Sequence, residues 1–290
     1  MSDTTSIVYL NGKYLPVQEA CVSVLDRGFL LGDGVYEVIP VYGGNPFRID
    51  QHLQRLENSL EQIRIPFPHT RGEWYDILEE IIDRNGGADQ SIYLQVTRGV
   101  AAKRDHAFPE TVHPTVFVMS TPLMPVSEKI LREGVHAITL EDIRWQRCDI
   151  KAITLLANVL LRQQALDEGC AEAILIRDGM ATEGAASNLF IVRDGTVITP
   201  PTGPKLLPGI TRDLILELAE QHDIPWREQD IGREDLFNAE EVWFSSSTRE
   251  ILPVIQVDER KIGKGIPGPV WHAVYQHYQA YKESLRTGAA

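Results

Sequence analysis

At 290 residues the chain is long for one hydrophobic core, so two domains are expected, although a single α/β barrel also fits the length. With 43% hydrophobic and 24% charged residues it has the composition of an ordinary globular protein, and its net charge of −13 argues against nucleic acid, whose binders present clustered Lys and Arg. Cys21, Cys148 and Cys170 are odd in number and lack C-x-x-C spacing, which argues against a disulfide framework and a zinc site and for a reducing cytoplasm; no metal is expected.

The start, Met1-Ser-Asp-Thr-Thr5, is polar and acidic and lacks the pattern of a signal peptide. The longest apolar run, around Ile153 to Leu161, falls short of the ~18 residues that cross a membrane. A soluble, cytoplasmic protein with neither nucleic acid nor membrane as partner is expected.

Ile7 to Leu10, Asn11-Gly12 and Lys13 to Leu15 predict a hairpin, because Asn-Gly supplies two positive φ angles. A second hairpin runs from Val35 to Val41 and Pro46 to Ile49, turning at Gly43-Gly44. Asp50 can then cap a helix whose apolar residues Leu53, Leu56, Leu60 and Ile63 recur at helical spacing, with Arg55 beside that stripe. Thr70-Arg-Gly-Glu73 has capping-box spacing and opens a helix carrying Trp74, Ile77, Leu78, Ile81 and Ile82. Strands follow at Ile92 to Thr97 and Val116 to Ser120.

Two prolines break the pattern at Thr121-Pro-Leu-Met-Pro125, where a domain boundary is expected. Beyond it the sequence predicts a strand at Val135 to Leu140 and an apolar helix from about Ala152 to Glu168, ended by Gly169. Hairpins turn at Asp178-Gly179 and Asp194-Gly195. A helix covers Thr211 to His222, a strand Val242 to Ser245, and an amphipathic helix starts near Val270. Strands and helices do not alternate strictly, so the α+β class is expected.

Several segments carry possible chemistry. Lys151, one of only eight lysines, lies between Cys148-Asp149-Ile150 and an apolar run, so its amine sits near a core. An amine there can be the neutral nucleophile that a Schiff base requires; a lysine snorkelling at a helix start has the same local sequence. Thr182-Glu183-Gly-Ala-Ala-Ser-Asn188 sets one carboxylate among small residues, which suits a protonated ring nitrogen or a plain solvated turn. In Leu207-Pro-Gly-Ile210-Thr211-Arg212 a glycine leads into a threonine N-cap, which makes an anion site or ordinary capping. Ser245-Ser-Ser247-Thr248 adds hydroxyl donors or is a polar strand end. Arg104-Asp105-His106, in a loop from Gly99 to Pro109, can grip a carboxylate or stand exposed in solvent. Gly263-Lys-Gly265-Ile-Pro-Gly268 matches G-x-G-x-x-G, but Pro267 and Pro269 bracket its last glycine and no first βα unit contains it, so it is rejected as a dinucleotide site.

Taken in order, Asp26-Arg-Gly-Phe-Leu-Leu-Gly-Asp-Gly-Val-Tyr-Glu37, the Arg55 helix, Glu141-Asp-Ile-Arg-Trp-Gln-Arg-Cys-Asp-Ile-Lys151, Thr182 to Asn188 and Gly209-Ile-Thr-Arg212 resemble the class IV aminotransferases, from about Ile7 to Pro253. The resemblance implies the type IV pyridoxal-phosphate fold: a small α/β domain over residues 1–121, a linker over 122–134, and a large cofactor-binding domain with a β-barrel-like core over 135–290. It also implies a homodimer with shared active sites.

The cofactor implied is pyridoxal 5'-phosphate. Lys151 matches its Schiff-base lysine and Glu183 the partner of its ring nitrogen. Arg55, Ile210 and Thr211 match the phosphate cup, and either Ser247 or Thr248 its last wall. Tyr36 matches an active-site tyrosine. Arg104-x-His106 is similar to the carboxylate trap of bacterial D-amino acid aminotransferases, reached across the dimer interface. The implied reaction moves an amino group from a D-amino acid to a 2-oxo acid in a ping-pong cycle. Ala185-Ala186 depart from that subgroup, which carries serines there. A branched-chain L-aminotransferase, an R-selective amine transaminase, an aminodeoxychorismate-type lyase and, distantly, a nucleotide-binding module on the Gly263 segment are the alternatives.

Overall fold

The computed structural model describes residues 6–87 and 89–288; the polar start, Met1 to Thr5, lies outside them. The chain divides into two compact units. The first runs to Met124 and takes in Ile150–Thr154 and the chain from Leu285 onward; the second comprises Pro125–Asp149 and Leu155–Ser284. The segment carrying Lys151 thus counts with the first unit, whereas the sequence expectation assigns 135–290 to one domain.

In the first unit, β1 (Ile7–Leu10), β2 (Lys13–Pro16), β3 (Gly34–Tyr42), β4 (Asn45–Pro46), β5 (Gln90–Thr97) and β6 (Thr115–Pro122) form an antiparallel sheet in the order β2-β1-β6-β5-β3-β4. Asn11 and Gly12 turn the first hairpin with φ of 47° and 88°, and Gly43 and Gly44 the second with 59° and 85°. The helices are α1 (Arg27–Leu31), α2 (Ile49–Gln62) and α3 (Arg71–Arg84). Leu53, Leu56 and Leu60 of α2, with Trp74, Ile77, Leu78 and Ile81 of α3, pack in one core with Ile39, Ile92, Leu94, Val96, Val116 and Val118 of the sheet. Alternation along β3 sends Val35, Glu37, Ile39 and Val41 to that core and Tyr36 to the opposite face, where it stacks on Tyr93 at 5.7 Å.

Two helix starts differ in outcome. The Thr70 capping box is present: Glu73 N donates to Thr70 Oγ1 at 3.3 Å and Thr70 N to Glu73 Oε2 at 2.7 Å. Asp50 does not cap α2. The N-cap is Arg48, at φ 47°, and Asp50 instead accepts the Tyr75 hydroxyl at 2.7 Å.

The second unit contains α4 (Glu128–Glu133), β7 (Val135–Glu141), α5 (Leu156–Asp167), β8 (Glu172–Arg177), β9 (Met180–Gly184), β10 (Asn188–Arg193), β11 (Thr196–Thr199), α6 (Ile210–Gln221), β12 (Trp226–Glu228), β13 (Ile231–Gly232), α7 (Arg233–Phe237), β14 (Glu241–Ser246), β15 (Glu250–Val257), β16 (Arg260–Lys261) and α8 (Pro269–Arg286), whose last two residues count with the first unit. Its ten-stranded sheet, in the order β12-β11-β10-β14-β15-β7-β8-β9-β13 with β16 beside β15, curls into a half-barrel. Pairs β11–β12, β15–β7 and β7–β8 are parallel and the rest antiparallel, a mixed sheet of the α+β class expected. The Asp178-Gly179 and Asp194-Gly195 turns have the positive φ angles expected of them.

The helix expected from Ala152 begins only at Leu156. Residues Ile150–Thr154 run beside β3 instead, with a bridge between Val35 and Ala152 and Ile153 N donating to Gly34 O at 3.1 Å. On α5, Leu161 and Ala165 are buried while Leu156, Val159 and Leu160 are more than half exposed. Among the described residues no helix is long and apolar enough to cross a membrane.

The capping box yields a first prediction. Thr70→Ala should lower stability by about 1 kcal/mol in denaturant unfolding, and Thr70→Ser by less than about half of that, since serine keeps the acceptor. Equal losses in the two variants would show that the methyl group, not the cap, matters.

Candidate active site

Lys151 is fixed through its backbone. Its carbonyl accepts from Tyr36 N at 3.0 Å and its N–H donates to Ser59 Oγ at 3.3 Å, so the segment is tied to β3 and α2. Its side chain is half-buried, with Nζ 4.2 Å from the centroid of the Tyr36 ring. The structure therefore brings Lys151 and Tyr36 together on one side of β3.

On the other side of the same strand, Glu37 is fully buried. Arg55 of α2 meets both its oxygens, Nε to Oε1 and Nη2 to Oε2, each at 2.8 Å, and His52 Nδ1 lies 2.8 Å from Oε2. Burial alone pushes the Glu37 carboxyl up, but the Arg55 charge and fork, helped by His52, outweigh it and hold the group well below the usual carboxylate range. Burial pushes His52 down, against the pull of Glu37, so the imidazole stays neutral. Glu37 ends the motif that begins at Asp26 but has no role assigned by the sequence, and His52 carries no distinguishing signal. They stand out only once β3 and α2 are packed together.

In the second unit, Glu183 stands on β9, buried among small residues. Arg144 Nη1 donates to its Oε1, and Leu207 N and Asn188 Nδ2 reach Oε2 at 3.1 and 3.3 Å. Burial pushes the Glu183 carboxyl up against these donors, which leaves it eager to share a further proton. Arg144 is itself locked: Nε and Nη2 fork onto Asp142 at 2.8 and 2.9 Å, and Arg177 Nη2 lies 2.8 Å from Asp142 Oδ2. The sequence shows Arg144 inside the motif that ends at Lys151 but assigns it no role. Its i, i+2 spacing from Asp142 is the available signal, and it points only to a local pair.

Asn188 links Glu183 to the next element. Its amide also donates to Leu207 O at 2.8 Å, and a side chain on Gly209 would collide with its Oδ1 at 1.8 Å. Gly209, not Thr211, is the N-cap of α6, and no side chain caps the helix. Ile210 and Thr211 are buried in its first turn, and Thr211 Oγ1 has no hydrogen-bond partner. Ser245, paired with Asn188 across β10–β14, likewise leaves its buried Oγ without one. Ser247 is half-buried and Thr248 exposed, both in the turn that follows β14. Arg104 and His106 stand on an exposed loop of the first unit.

The model of the amino-transferase class IV family matches residues 34–257. The chain is 41% identical to a D-alanine aminotransferase of Bacillus licheniformis over 91% of this chain and 92% of that one, and 39% identical to that of Staphylococcus haemolyticus over 96% and 98%. The chain belongs to the class IV aminotransferases. Among solved structures it is similar to the T.th. branched-chain amino acid aminotransferase with pyridoxamine 5'-phosphate, at TM-score 0.90 and 28% identity over 99% of this chain and 95% of that one. The branched-chain enzyme of Escherichia coli follows at TM-score 0.87 and 30% identity over 95% and 94%.

Class IV aminotransferases use pyridoxal phosphate, and the chemistry of the donors present fits that group. A primary amine is supplied by Lys151. Glu183, with its raised proton affinity, suits a protonated ring nitrogen. An uncapped helix start beside two buried hydroxyls lacking partners suits a phosphate.

The buried pair on β3 and α2 sets a second prediction. Glu37→Gln leaves the Arg55 charge poorly compensated and should cost about 3–5 kcal/mol in unfolding at pH 7. Because the folded Glu37 carboxyl is depressed, its contribution is present above the ordinary range near pH ~4 and is lost as pH falls further. The gap between the natural protein and the variant should therefore close in acid. A gap that is constant from pH 7 to pH 3 would contradict this.

Proposed function

We propose that this aminotransferase acts on D-amino acids, moving the amino group of a donor such as D-alanine to a 2-oxo acid such as 2-oxoglutarate or pyruvate in a ping-pong cycle. The observation that carries the reading is the 41% identity, over nearly the whole chain, to an enzyme named for D-alanine. The branched-chain enzymes similar in structure stand at 28–30%. Arg104-x-His106 on an exposed loop supports it further, as two cationic donors able to meet a carboxylate.

The residues divide by task. Lys151 would hold the cofactor through Nζ, and its free amine would take the proton from the substrate's Cα. Tyr36, beneath that amine, shapes the space in which the proton moves. Glu183 holds a proton on the ring nitrogen, and Arg144 fixes the carboxyl in place. Arg55, Ile210, Thr211 and the Ser247–Thr248 turn hold the phosphate, and Arg104 and His106 hold the substrate carboxylate. When bound, pyridoxal phosphate supplies an aldehyde that captures the amino group and a ring that accepts the electron pair left at Cα.

The assembly proposed is a homodimer in which Arg104 and His106 serve the partner's site. The exposed apolar side chains Leu156, Val159 and Leu160 of α5 support it, because a surface of that kind gains from being covered by a second copy. Three free cysteines support a cytoplasmic location.

Spectra of the purified holoenzyme titrated with D-alanine, L-leucine and an R-arylamine test the substrate assignment. D-alanine alone should bleach the visible cofactor band; bleaching by L-leucine instead would move the enzyme to the branched-chain group. Lys151→Ala should abolish turnover. Arg104→Ala should raise the Michaelis constant for D-alanine about tenfold or more with a smaller effect on kcat, and unchanged kinetics would remove the carboxylate-trap assignment.

A further inference from the structure

The motif from Asp26 to Asp33 takes no part in the chemistry described so far, yet two of its residues are buried. Arg27, on α1, is 3% exposed. Its Nε donates to Asp33 Oδ2 at 2.7 Å, and the rest of its guanidinium faces the loop that carries Arg104 and His106. Nη1 donates to the carbonyls of Asp105 at 2.6 Å and Ala107 at 3.1 Å, and Nη2 to that of His106 at 3.3 Å. Three successive carbonyls therefore converge on one planar fork, while the side chains of Arg104 and His106 stay exposed.

Asp33 ties this fork to the rest of the unit. Its two oxygens also accept from Arg98, Nε at 2.8 Å and Nη2 at 2.9 Å. Arg98 in turn donates to the carbonyls of Ile63 at 2.7 Å and Arg64 at 3.1 Å, just past the end of α2. Its guanidinium also lies 3.7 Å from the centroid of the Phe108 ring, with that of Arg64 at 4.7 Å. The base of the loop is closed as well. Arg27 N donates to Gly99 O at 2.9 Å, and at Gly99, φ 86°, a side chain would strike His113 O at 1.9 Å. The loop is exposed and outside any strand; besides the Asp26–Val100 bridge and the Ala101 N to Leu25 O bond at its base, its backbone is clamped by these carbonyl contacts to Arg27.

We propose that Arg27, held by Asp33, is a positioning residue that sets the loop presenting Arg104 and His106 and so determines selectivity for substrates bearing a carboxylate. The inference rests on the reading of Arg104 and His106 as the carboxylate trap. Arginine is required because a lysine has no planar fork with which to hold three carbonyls while keeping Asp33. The clamp acts on substrate binding, not on the amine of Lys151.

The test uses the holoenzyme and single-turnover bleaching of its cofactor band, with D-alanine and with D-alaninol, which has the same Cα and no carboxylate. Arg27→Lys should raise the half-saturating D-alanine concentration about tenfold, keep the maximal rate within about threefold, and leave the reaction with D-alaninol unchanged. Phe108→Ala, at an exposed position that does not endanger folding, should shift D-alanine in the same direction by about threefold. Arg104→Ala is the reference. If it raises half-saturation for D-alanine while both clamp variants leave it unchanged, the inference is overturned. Equal losses with D-alanine and D-alaninol would also overturn it, by showing a general structural role. If Arg104→Ala is itself silent, the trap reading falls and takes the inference with it. Should Arg27→Lys fail to fold, Phe108→Ala against Arg104→Ala decides alone.

Discussion

A carboxylate cannot stay charged in a protein interior unless a cation meets it closely, and this constraint recurs at several junctions of the chain, three of which bear on the site. Glu37 is fully buried on β3 and is met on both oxygens by Arg55. Glu183 is buried on β9 and is met by Arg144, which Asp142 holds in turn. Asp33 is shared by Arg27 and Arg98. Each pair joins elements that apolar packing alone would leave free to slide: a helix to a strand, a loop to a strand, and a second loop to a helix end. Removing either partner leaves an uncompensated charge, so each junction admits few alternative geometries. The groups proposed to act on cofactor and substrate sit at or beside these junctions.

The two faces of β3 divide this work. One face carries Glu37 toward α2 and the core, where the arginine is fixed. The opposite face carries Tyr36 beneath the Lys151 amine, whose segment is bridged to the same strand through Val35 and Ala152. In the second unit the strand ends do the comparable work. Glu183, Asn188 and Ser245 lie where β9, β10 and β14 end or begin, and Asn188 couples the first of these to the stretch leading into α6.

Much of this is legible in the sequence wherever the determinant is local. Asn11-Gly12, Asp178-Gly179 and Asp194-Gly195 announce hairpins because positive φ is a property of one or two residues. The Thr70 box and the apolar stripes of α2 and α3 are equally local. Caps escape a local reading where another partner competes, as when Tyr75 draws Asp50 away from α2, or where a glycine just ahead of the expected cap begins the helix, as at Gly209. The start of α5 shifts because a β-bridge captures residues with helical spacing. At the site, Lys151, Glu183 and Thr211 stand out through family resemblance, since their neighbours alone also fit a snorkelling lysine, a turn and a cap. Glu37, Arg144 and Arg27 gain a role only in the folded chain, because Arg55, Glu183 and the Asp105 carbonyl lie 18, 39 and 78 positions from them and no spacing rule reaches that far.

The membership of Ile150–Thr154 in the first unit bears on how the chain is made. A ribosome releases β1 to β6, with α2 and α3, well before residue 150, so the antiparallel sheet and its core can form on the nascent chain. The bridge between Val35 and Ala152 has to wait until the chain returns, and the pairing of Arg286 with Asp89 waits for residues made far later. Lys151, whose amine is proposed to be reactive, thus leaves the ribosome after the strand against which it lies.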